Sequence, residues 1–464
     1  MMEFRKESDL LGELEVPINA YYGVQTQRAI NNFKISNQYL SAYPEFIKAL
    51  GYTKKGAAQT NFELGGLEES IYKAMITACD EVIAGKFDQE FPVDMIQGGA
   101  GTSINMNINE VVANRAIEIL GHQKGEYQYC SPNDHVNQSQ STNDAYPTAI
   151  KIALILMNER LVKQTNSIVT AFRAKGEAFS DVIKMGRTQL QDAVPMTLGQ
   201  EFEAFATTLK NDIPILNHAA NGLCEVNMGA TAIGTGLNAP KGYAQKCADN
   251  LASITGFPIV LSRNLIEATP DTSAYVSYSS ALKRLALKLS MICNDLRLLS
   301  SGPRAGVSEI NLPPMQPGSS IMPGKVNPVI PEVVNQVCYK VIGNDLAVSF
   351  AAEAGQLQLN VMEPVLCHAI MESINFLCNS LVALEEKCVV GITANKEICF
   401  NKVKNSIGIV TALNPHIGYK NSTKIAKEAL ESGKSVYDLV LEHDLLSQDK
   451  LDEILDPKNM LESH

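Results

Sequence analysis

The sequence lacks the cysteine and histidine patterns that mark disulfide frameworks and metal sites. Its ten cysteines are scattered singly from Cys79 to Cys399 with no C-x-x-C pair, which is typical of reduced, buried thiols. Its seven histidines include no H-E-x-x-H or other ligand spacing. We therefore expect neither structural disulfides nor a metal site.

Targeting and membrane-spanning segments are also missing from the sequence. The N-terminal stretch "MMEFRKESDLLGELEVP" has no apolar core of signal-peptide length. No run of about 18 apolar residues occurs, the length that a membrane-spanning helix needs. These absences favour a cytoplasmic protein that does not bind membranes.

Positive charge is scarce. Lys and Arg number 39 against 50 Asp and Glu, which gives a net charge of −11 and a pI near 5.3. Nucleic-acid binding requires clustered cations that neutralise phosphates, so this balance argues against it. An acidic chain can still bind a small dianion, but only in a pocket that is locally positive.

Two nucleotide-binding motifs are nearly present, but both fail. After Gly318 the second glycine of a P-loop comes one residue late, at Gly324, and Val326 replaces the required hydroxyl. Gly99 and Gly101 begin a dinucleotide fingerprint, but Ile104 occupies the place of its third glycine. Neither motif predicts a nucleotide site.

The sequence does contain long stretches of helical periodicity. Apolar residues recur at steps of three and four in five runs. They begin at Ile150, Leu198, Leu282, Val334 and Leu366. We predict five helices of about 25–30 residues. Pro214 is expected to bend the second helix, and Pro331 is expected in the first turn of the fourth.

These runs predict a mainly all-α protein with a central five-helix bundle at residues 141–390. Shorter helices and glycine-rich loops are expected in residues 1–140, and short helices with breaks at Asn414-Pro415 and Gly418 in residues 391–464. Some helices are apolar on more than one face, as in "ALILM" at 153–157. We therefore expect subunits to pack bundle against bundle.

Four polar segments are predicted at the ends of these helices. Each is built from short hydroxyl and amide side chains, which by themselves are equally typical of helix caps and turns. They contain Thr102 and Ser103; Ser141, Thr142 and Asn143; Arg187, Thr188 and Gln189; and the stretch "GSSIMPGKVNP" from Gly318 to Pro328. Together they offer neutral donors, one ammonium and few acids, a combination that suits a small carboxylate ligand.

The last segment carries a resemblance to a known family. Gly318-Ser319-Ser320, Met322-Pro323, Lys325, Asn327 and Glu332 resemble the signature of the aspartase/fumarase superfamily of lyases. The other three segments match that family's blocks in the same order, and the similarity extends from "LLGELEVPINAYYGVQT" to "SIGIVTALNPHIGY". The resemblance implies a three-domain fold and a homotetramer with a core of twenty helices. Each active site would combine loops from three subunits.

The resemblance also implies roles for the polar residues. Ser319 matches the general base, which removes a proton from C3 of the substrate and leaves an aci-carboxylate. Thr102, Ser141, Thr142 and Ser320 would surround the β-carboxylate. Thr188, Lys325 and Asn327 would hold the α-carboxylate, while Asn143 and Gln189 would lie near the amino group. Preorganised donors around the developing negative charge are the main catalytic requirement of such a reaction.

Within the superfamily, the chain is more similar to the aspartase branch than to the fumarase branch. Aspartases interconvert L-aspartate with fumarate and ammonia and require no cofactor, although Mg2+ activates some members. Gln189 stands where fumarases carry a histidine, and an amide cannot protonate a leaving hydroxide. The absence of tryptophan agrees, because "YYGVQT" replaces a tryptophan-containing fumarase segment. A class II fumarate hydratase and an inactive structural relative remain the alternatives.

Overall fold

The computed structural model describes residues 3–456, and within them the chain is mainly helical. The first nine helices are α1 (Val24–Asn32), α2 (Pro44–Glu63), α3 (Glu69–Ile83), α4 (Thr102–Ile119), α5 (Thr142–Ala178), α6 (Leu198–Lys210), α7 (Ile213–Asn221), α8 (Tyr243–Thr255) and α9 (Leu265–Ala268). The remainder are α10 (Ser273–Leu299), α11 (Val329–Glu353), α12 (Glu363–Lys387), α13 (Lys396–Asn405), α14 (Val410–Ser432), α15 (Val436–Glu442) and α16 (Gln448–Ile454).

The strands of the described chain are short and pair two by two. Three pairs are antiparallel: β1 (Phe4–Asp9) with β2 (Gly12–Pro17), β3 (Ile183–Thr188) with β4 (Gln191–Thr197), and β7 (Ile310–Asn311) with β8 (Thr393–Ala394). The fourth pair, β5 (Glu225–Val226) with β6 (Val260–Leu261), is parallel. The predicted mainly α class is confirmed, and these strands connect or cap helices.

The apolar faces of the long helices are buried as their periodicity predicts. In α5 this face comprises Ile150, Leu154, Met157, Leu161, Ile168 and Phe172, all with no exposed surface. The corresponding faces of α10 and α12 are buried in the same way, through residues such as Leu289 and Leu377. Burial of such residues contributes roughly 1.5–3 kcal/mol each and is the main source of stability of these helices.

The predicted second helix of the bundle is two helices. We expected one bent helix, but α6 ends at Lys210 and α7 begins at Ile213. Pro214 lies in the first turn of α7, where its missing N–H costs no hydrogen bond. The intervening Asp212 is buried and accepts a hydrogen bond from Lys288 at 2.7 Å. The chain therefore breaks at this point instead of bending.

The start of α5 also differs from the prediction. Thr142 and Asn143 were expected just before this helix, but they form its first turn, and Pro147 lies inside it. Pro147 has no N–H to donate to the carbonyl of Asn143 four residues earlier. The side chain of Asn227 supplies the missing donor to that carbonyl at 3.0 Å. The proline is tolerated because a side chain replaces its hydrogen bond.

The backbone packs as two compact units. One comprises the chain up to Val162 with Pro214–Arg284 and Lys340–Phe376; the other comprises Lys163–Ile213, Leu285–Tyr339 and the chain from Leu377 onwards. Four of the five boundaries between the units fall within the long helices α5, α10, α11 and α12, and the fifth falls at the start of α7. The three domains expected at residues 1–140, 141–390 and 391–464 are a different division and stay a prediction.

The second unit has a core of its own around the C-terminal helices. Ile183 and Met185 of β3 are buried in one cluster with Leu413, Ile425 and Leu439. Within α14 the backbone leaves helical geometry at Gly418, with φ 76° and ψ 156°. Of the two breaks expected in this region, Gly418 is the break, whereas Asn414-Pro415 lies within helical backbone.

The cysteines and much of the most apolar helix lie in the protein interior. All ten cysteines are free and buried, as expected. One stretch, Glu363–Gly391, is long and apolar enough by composition to cross a membrane, and 61% of its most apolar window is buried inside the protein. Core helices meet the same criterion, and this helix contributes Leu366, Ile370 and Leu381 to the core.

Candidate active site

The N-termini of α4 and α5 lie against each other. Gly99, Ala100 and Gly101 have φ values of 91°, 55° and 89°, a left-handed stretch that leads into α4 at Thr102. A Cβ at Gly101 would lie 2.4 Å from the ring of Tyr146, so only glycine allows this contact. The start of α4 therefore lies close to the start of α5, and both helices direct the positive ends of their dipoles to this region.

A buried lysine supports the same two N-termini. Lys54 has no exposed surface, and its ammonium donates to Asn105 Oδ1 and Gln140 Oε1, each at 2.8 Å, and to Asn137 Oδ1 at 3.2 Å. Asn105 in turn donates to Thr142 Oγ1 at 3.2 Å. Burial lowers the pKa of Lys54 to about 7, while the charge of Asp144 acts in the opposite direction. The network holds Thr142 in place at the start of α5.

Ser141 caps α5 in a reciprocal arrangement with Asp144. The amide of Asn143 donates to Ser141 Oγ at 3.2 Å, and the amide of Ser141 donates to Asp144 Oδ1 at 2.9 Å. Asp144 Oδ2 accepts the amides of Gly229 at 3.0 Å and Thr231 at 2.9 Å. Burial raises the pKa of Asp144 to about 6, against the effect of these amide donors. The structure therefore gives Ser141 a capping role in addition to the predicted binding role.

Asn143 is held by the neighbouring segment Asn227–Ala232. Its Nδ2 donates to the carbonyl oxygen of Ala232 at 2.8 Å. Ser141, Thr142 and Asn143 are thus half-buried polar residues at the start of α5, and Thr102 is an exposed one at the start of α4. The roles expected of these residues in binding the substrate stay predictions.

Thr188 and Gln189 occupy a different kind of element from the one expected. We predicted a polar loop before a helix, but they form the tip of the β3–β4 hairpin, and α6 begins only at Leu198. Thr188 pairs with Gln191 across a turn in which Gln189 and Leu190 have φ values of 54° and 62°. Both predicted site residues are exposed at this tip.

The hairpin is anchored just behind its tip by buried charges. Glu309 has no exposed side-chain surface and pairs with Arg187, with Lys184 at 3.1 Å and with Lys402 at 3.3 Å. Burial acts to raise the pKa of Glu309, but the hydrogen bond from Arg187 and the charge of Lys184 outweigh it, so this pKa lies below its usual range. The carboxylate is therefore ionised and fixes the residue that precedes Thr188.

Ser319 lies in the irregular segment from Gly318 to Pro328. Its Oγ accepts the backbone amides of Ile321 at 3.1 Å and Met322 at 3.0 Å. The amide of Gly318 donates to the carbonyl of Lys325 at 2.7 Å and closes the loop at its base. A Cβ at Gly318 would lie 2.5 Å from that carbonyl oxygen, so this position requires glycine. Two amides thus converge on the hydroxyl that the sequence predicts to be the base.

The other predicted residues of this loop differ in exposure. Asn327 is half-buried and donates to the carbonyl of Gly318 at 2.7 Å. Ser320 and Lys325 are exposed. In the described chain no hydrogen bond or ion pair joins Ser319, Ser320 or Lys325 to the hairpin tip at Thr188 and Gln189. The predicted residues therefore form three groups within one chain: the N-termini of α4 and α5, the hairpin tip, and the Gly318–Pro328 loop.

Sequence reasoning missed several residues that support these groups. Lys54, Asn105 and Glu309 gave no local signal, because their partners lie 37–122 positions away in the chain. Asp144 did carry one, since Ser141 and Asp144 have the spacing of a capping box. Within residues 3–456, no three His, Cys, Asp or Glu side chains are grouped so as to hold a metal ion.

Comparison with known families and proteins gives consistent matches. The family described as Lyase matches residues 12–343, and the family described as Fumarase C C-terminus matches residues 409–462. Among curated relatives, the aspartate ammonia-lyase of Pseudomonas canavaninivorans is 60% identical over 459 residues, covering 99% of this chain and 97% of its own. The aspartate ammonia-lyase of Escherichia coli (strain K12) is 59% identical, with coverage of 98% and 96%.

Solved structures show the same fold. A fumarate lyase:delta crystallin from Brucella melitensis bound to cobalt is 52% identical, with a TM-score of 0.96 and coverage of 99% of this chain and 100% of that chain. A class II fumarase from Schistosoma mansoni is 35% identical, with a TM-score of 0.91 and coverage of 99% of both chains.

Proposed function

The chain belongs to the aspartase/fumarase superfamily of lyases, and on that premise we propose that it catalyses the reversible deamination of L-aspartate to fumarate and ammonia. The observation that carries the proposal is Ser319 Oγ, on which the amides of Ile321 and Met322 converge. A serine is a weak base unless its oxyanion is stabilised, and two converging backbone donors provide such stabilisation.

In the proposed reaction, Ser319 as an alkoxide takes the proton from C3 of aspartate. The electron pair of the C–H bond delocalises into the β-carboxylate as an aci-carboxylate, with the donors Thr102, Ser141, Thr142 and Ser320 around it. That pair then forms the C2–C3 double bond as the C–N bond breaks. The nitrogen leaves with the bonding electrons as neutral ammonia, so the reaction needs no acid for the leaving group.

The other residues bind the rest of the substrate. Thr188, Lys325 and Asn327 hold the α-carboxylate, and Asn143 with Gln189 lies near the amino group. The three groups of residues come from three subunits of a homotetramer with a core of twenty helices. Exposed apolar side chains on α11 support this assembly, since Tyr339, Leu346 and Phe350 are 58–68% exposed in the single chain.

We place the enzyme in the cytoplasm, acting on small molecules and binding neither nucleic acid nor membrane. It requires no cofactor for the chemistry, and Mg2+ acts at most as an activator. Metal dependence is tested by comparing activity after chelation and after addition of Mg2+.

Substrate choice is tested by assaying L-aspartate and L-malate side by side. The wild type should form fumarate from aspartate and leave malate almost unchanged, because Gln189 cannot protonate a leaving hydroxide. Gln189→His should add at most a trace of malate activity, with the exposed neighbour change Leu190→His as its control. Efficient malate turnover by the wild type would favour a fumarate hydratase, and no turnover of either would favour a non-catalytic relative.

A further inference from the structure

The amide of Asn143 has a defined orientation. A backbone carbonyl only accepts hydrogen bonds, so the group that faces the Ala232 oxygen at 2.8 Å must be the NH2 of Asn143. The amide oxygen of Asn143 is therefore on the other side. In the part of the chain that the structure describes, no donor bonds to this Oδ1. It is an acceptor held at the start of α5 beside Thr142.

The position of Ala232 is itself set by Asp144. This aspartate has no exposed surface, and its Oδ2 accepts the amides of Gly229 and Thr231 at 3.0 and 2.9 Å. Its Oδ1 accepts the amide of Ser141 at 2.9 Å. One buried carboxylate thus joins the first turn of α5 to the residue immediately before Ala232.

A second hydrogen-bonded connection, which we call a tie, joins the start of α5 to the segment Asn227–Ala232; the first tie is the carboxylate of Asp144. The side chain of Asn227, itself buried, donates to the carbonyl oxygen of Asn143 at 3.0 Å. The segment between the ties has backbone angles that fix its path, with φ values of 89° at Gly229 and 57° at Thr231. A Cβ at Gly229 would lie 2.5 Å from Ala244 Cβ, which leaves the segment no room to shift towards α8.

We propose that Asp144 is a positioning residue that selects for an amino group on the substrate. It holds Asn227–Ala232 against α5, so that Ala232 binds the NH2 of Asn143 and leaves Oδ1 to accept from the substrate ammonium. This inference rests on the proposed deamination of aspartate. It adds a means of distinguishing ligands that carry an ammonium from otherwise similar dicarboxylates that lack one.

The test compares L-aspartate with succinate, which has both carboxylates but no amino group. In Asp144→Asn, an NH2 replaces one of the oxygens that accept backbone amides, and Ala232 loses its fixed position. The KM for L-aspartate should rise roughly 10- to 100-fold, the loss expected for one hydrogen bond to a charged group. The inhibition constant of succinate should change less than about twofold, because succinate makes no contact with Oδ1.

Asp94→Asn is the matched control. Asp94 is also a buried carboxylate that binds backbone amides, those of Ile35, Ser36 and Ile96 at 2.8–3.0 Å. None of these belongs to the predicted site. Asp94→Asn should lower thermal stability without changing the ratio of the KM for aspartate to the inhibition constant of succinate. Asn227→Ala removes the second tie, should give the same selective rise in KM, and replaces Asp144→Asn if that variant does not fold.

The outcomes distinguish the two proposals. A selective rise in the KM for aspartate supports the positioning role of Asp144. An equal change for aspartate and succinate, or an unchanged KM in a folded variant, would overturn it while the deamination stands. Failure of the wild type to convert aspartate would overturn the deamination and, with it, the role of Asp144.

Discussion

Arg187 forms an ion pair with Glu309, a carboxylate without exposed side-chain surface, directly behind the hairpin tip that carries Thr188. Glu309 also meets Lys184 and Lys402, so three cations surround one buried anion. A buried ion pair often adds little net stability, but removing one partner leaves the others uncompensated.

Glu309→Gln should therefore cost about 3–5 kcal/mol of unfolding free energy and displace the hairpin tip. The KM should rise for aspartate and for fumarate alike, because Thr188 is proposed to hold a carboxylate that both ligands possess. Chemical denaturation and steady-state kinetics measure the two effects. Asp181→Asn removes an exposed partner of Lys396 in the same unit and should change neither quantity. Normal kinetics in Glu309→Gln would show that the ion pairs of Glu309 do not position the substrate-binding residues.

Ser319→Ala should lower kcat at least about a hundredfold while L-aspartate still binds, because loss of a general base typically costs 10²–10⁴-fold. The loop should keep its shape, since its base is closed by Gly318, Lys325 and Asn327. Ser320→Ala is the control and should have a smaller effect, as one donor among several. Steady-state kinetics and calorimetric binding measure the two properties. Near-normal kcat in Ser319→Ala would assign the base elsewhere.

Lys325→Ala should raise the KM for aspartate strongly, because an ammonium facing a carboxylate stabilises bound substrate and transition state alike. The variant should keep its fold, since the side chain is exposed and only its backbone closes the loop. Lys325→Arg should also be impaired, because a planar guanidinium does not replace a point charge in a tight loop. Kinetics of both variants check this, and an unchanged KM in Lys325→Ala would remove the residue from the site.

Mixed tetramers test whether subunits share active sites. Chains with Ser319→Ala and chains with Thr188→Ala should each be nearly inactive alone. After joint refolding, some sites would receive both intact residues from different subunits, and part of the activity should return. Mixing two batches of Ser319→Ala chains is the control. No recovery in tetramers that are demonstrably mixed would contradict shared sites.

Glu363 should make the protein less stable as the pH rises. Burial raises the pKa of this carboxyl to about 8, against the lowering effect of Lys151, whereas the ordinary value is 4.5. The protonated form is thus favoured by the fold, and its contribution to stability is lost as the pH rises from about 4.5 through 8. Glu363→Gln should therefore stabilise the protein progressively more, relative to wild type, from about pH 4.5 to about pH 8, and the difference should level off above that. Thermal melts across this range measure the difference; a pH-independent difference would contradict the raised pKa.

Most of the long helices, the polar segments and the family could be predicted from local patterns in the sequence. The apolar faces of α5, α10 and α12 are buried as their spacing predicts, because a helix places residues three and four apart on one side. The Gly318–Pro328 loop was recognisable because glycine and proline act on the backbone locally. Thr102, Ser141, Thr142 and Asn143 were recognisable as short polar residues at predicted helix starts.

The surroundings of those residues could not be predicted in this way, because they depend on contacts between distant parts of the chain. Thr188 and Gln189 form a hairpin tip, although the sequence has no Asn-Gly or Asp-Gly pair there to predict one. Gln189 and Leu190 adopt left-handed angles because the anchored strands on either side require them. Lys54 reaches Asn105, Asn137 and Gln140, and Glu309 reaches Arg187, across long separations in sequence. Such contacts depend on how helices and strands pack. A buried charge must be paired or hydrogen-bonded, and the packing determines which groups lie close enough to pair with it. Periodicity is a property of neighbouring residues, whereas the partner of a buried charge is a property of the whole fold.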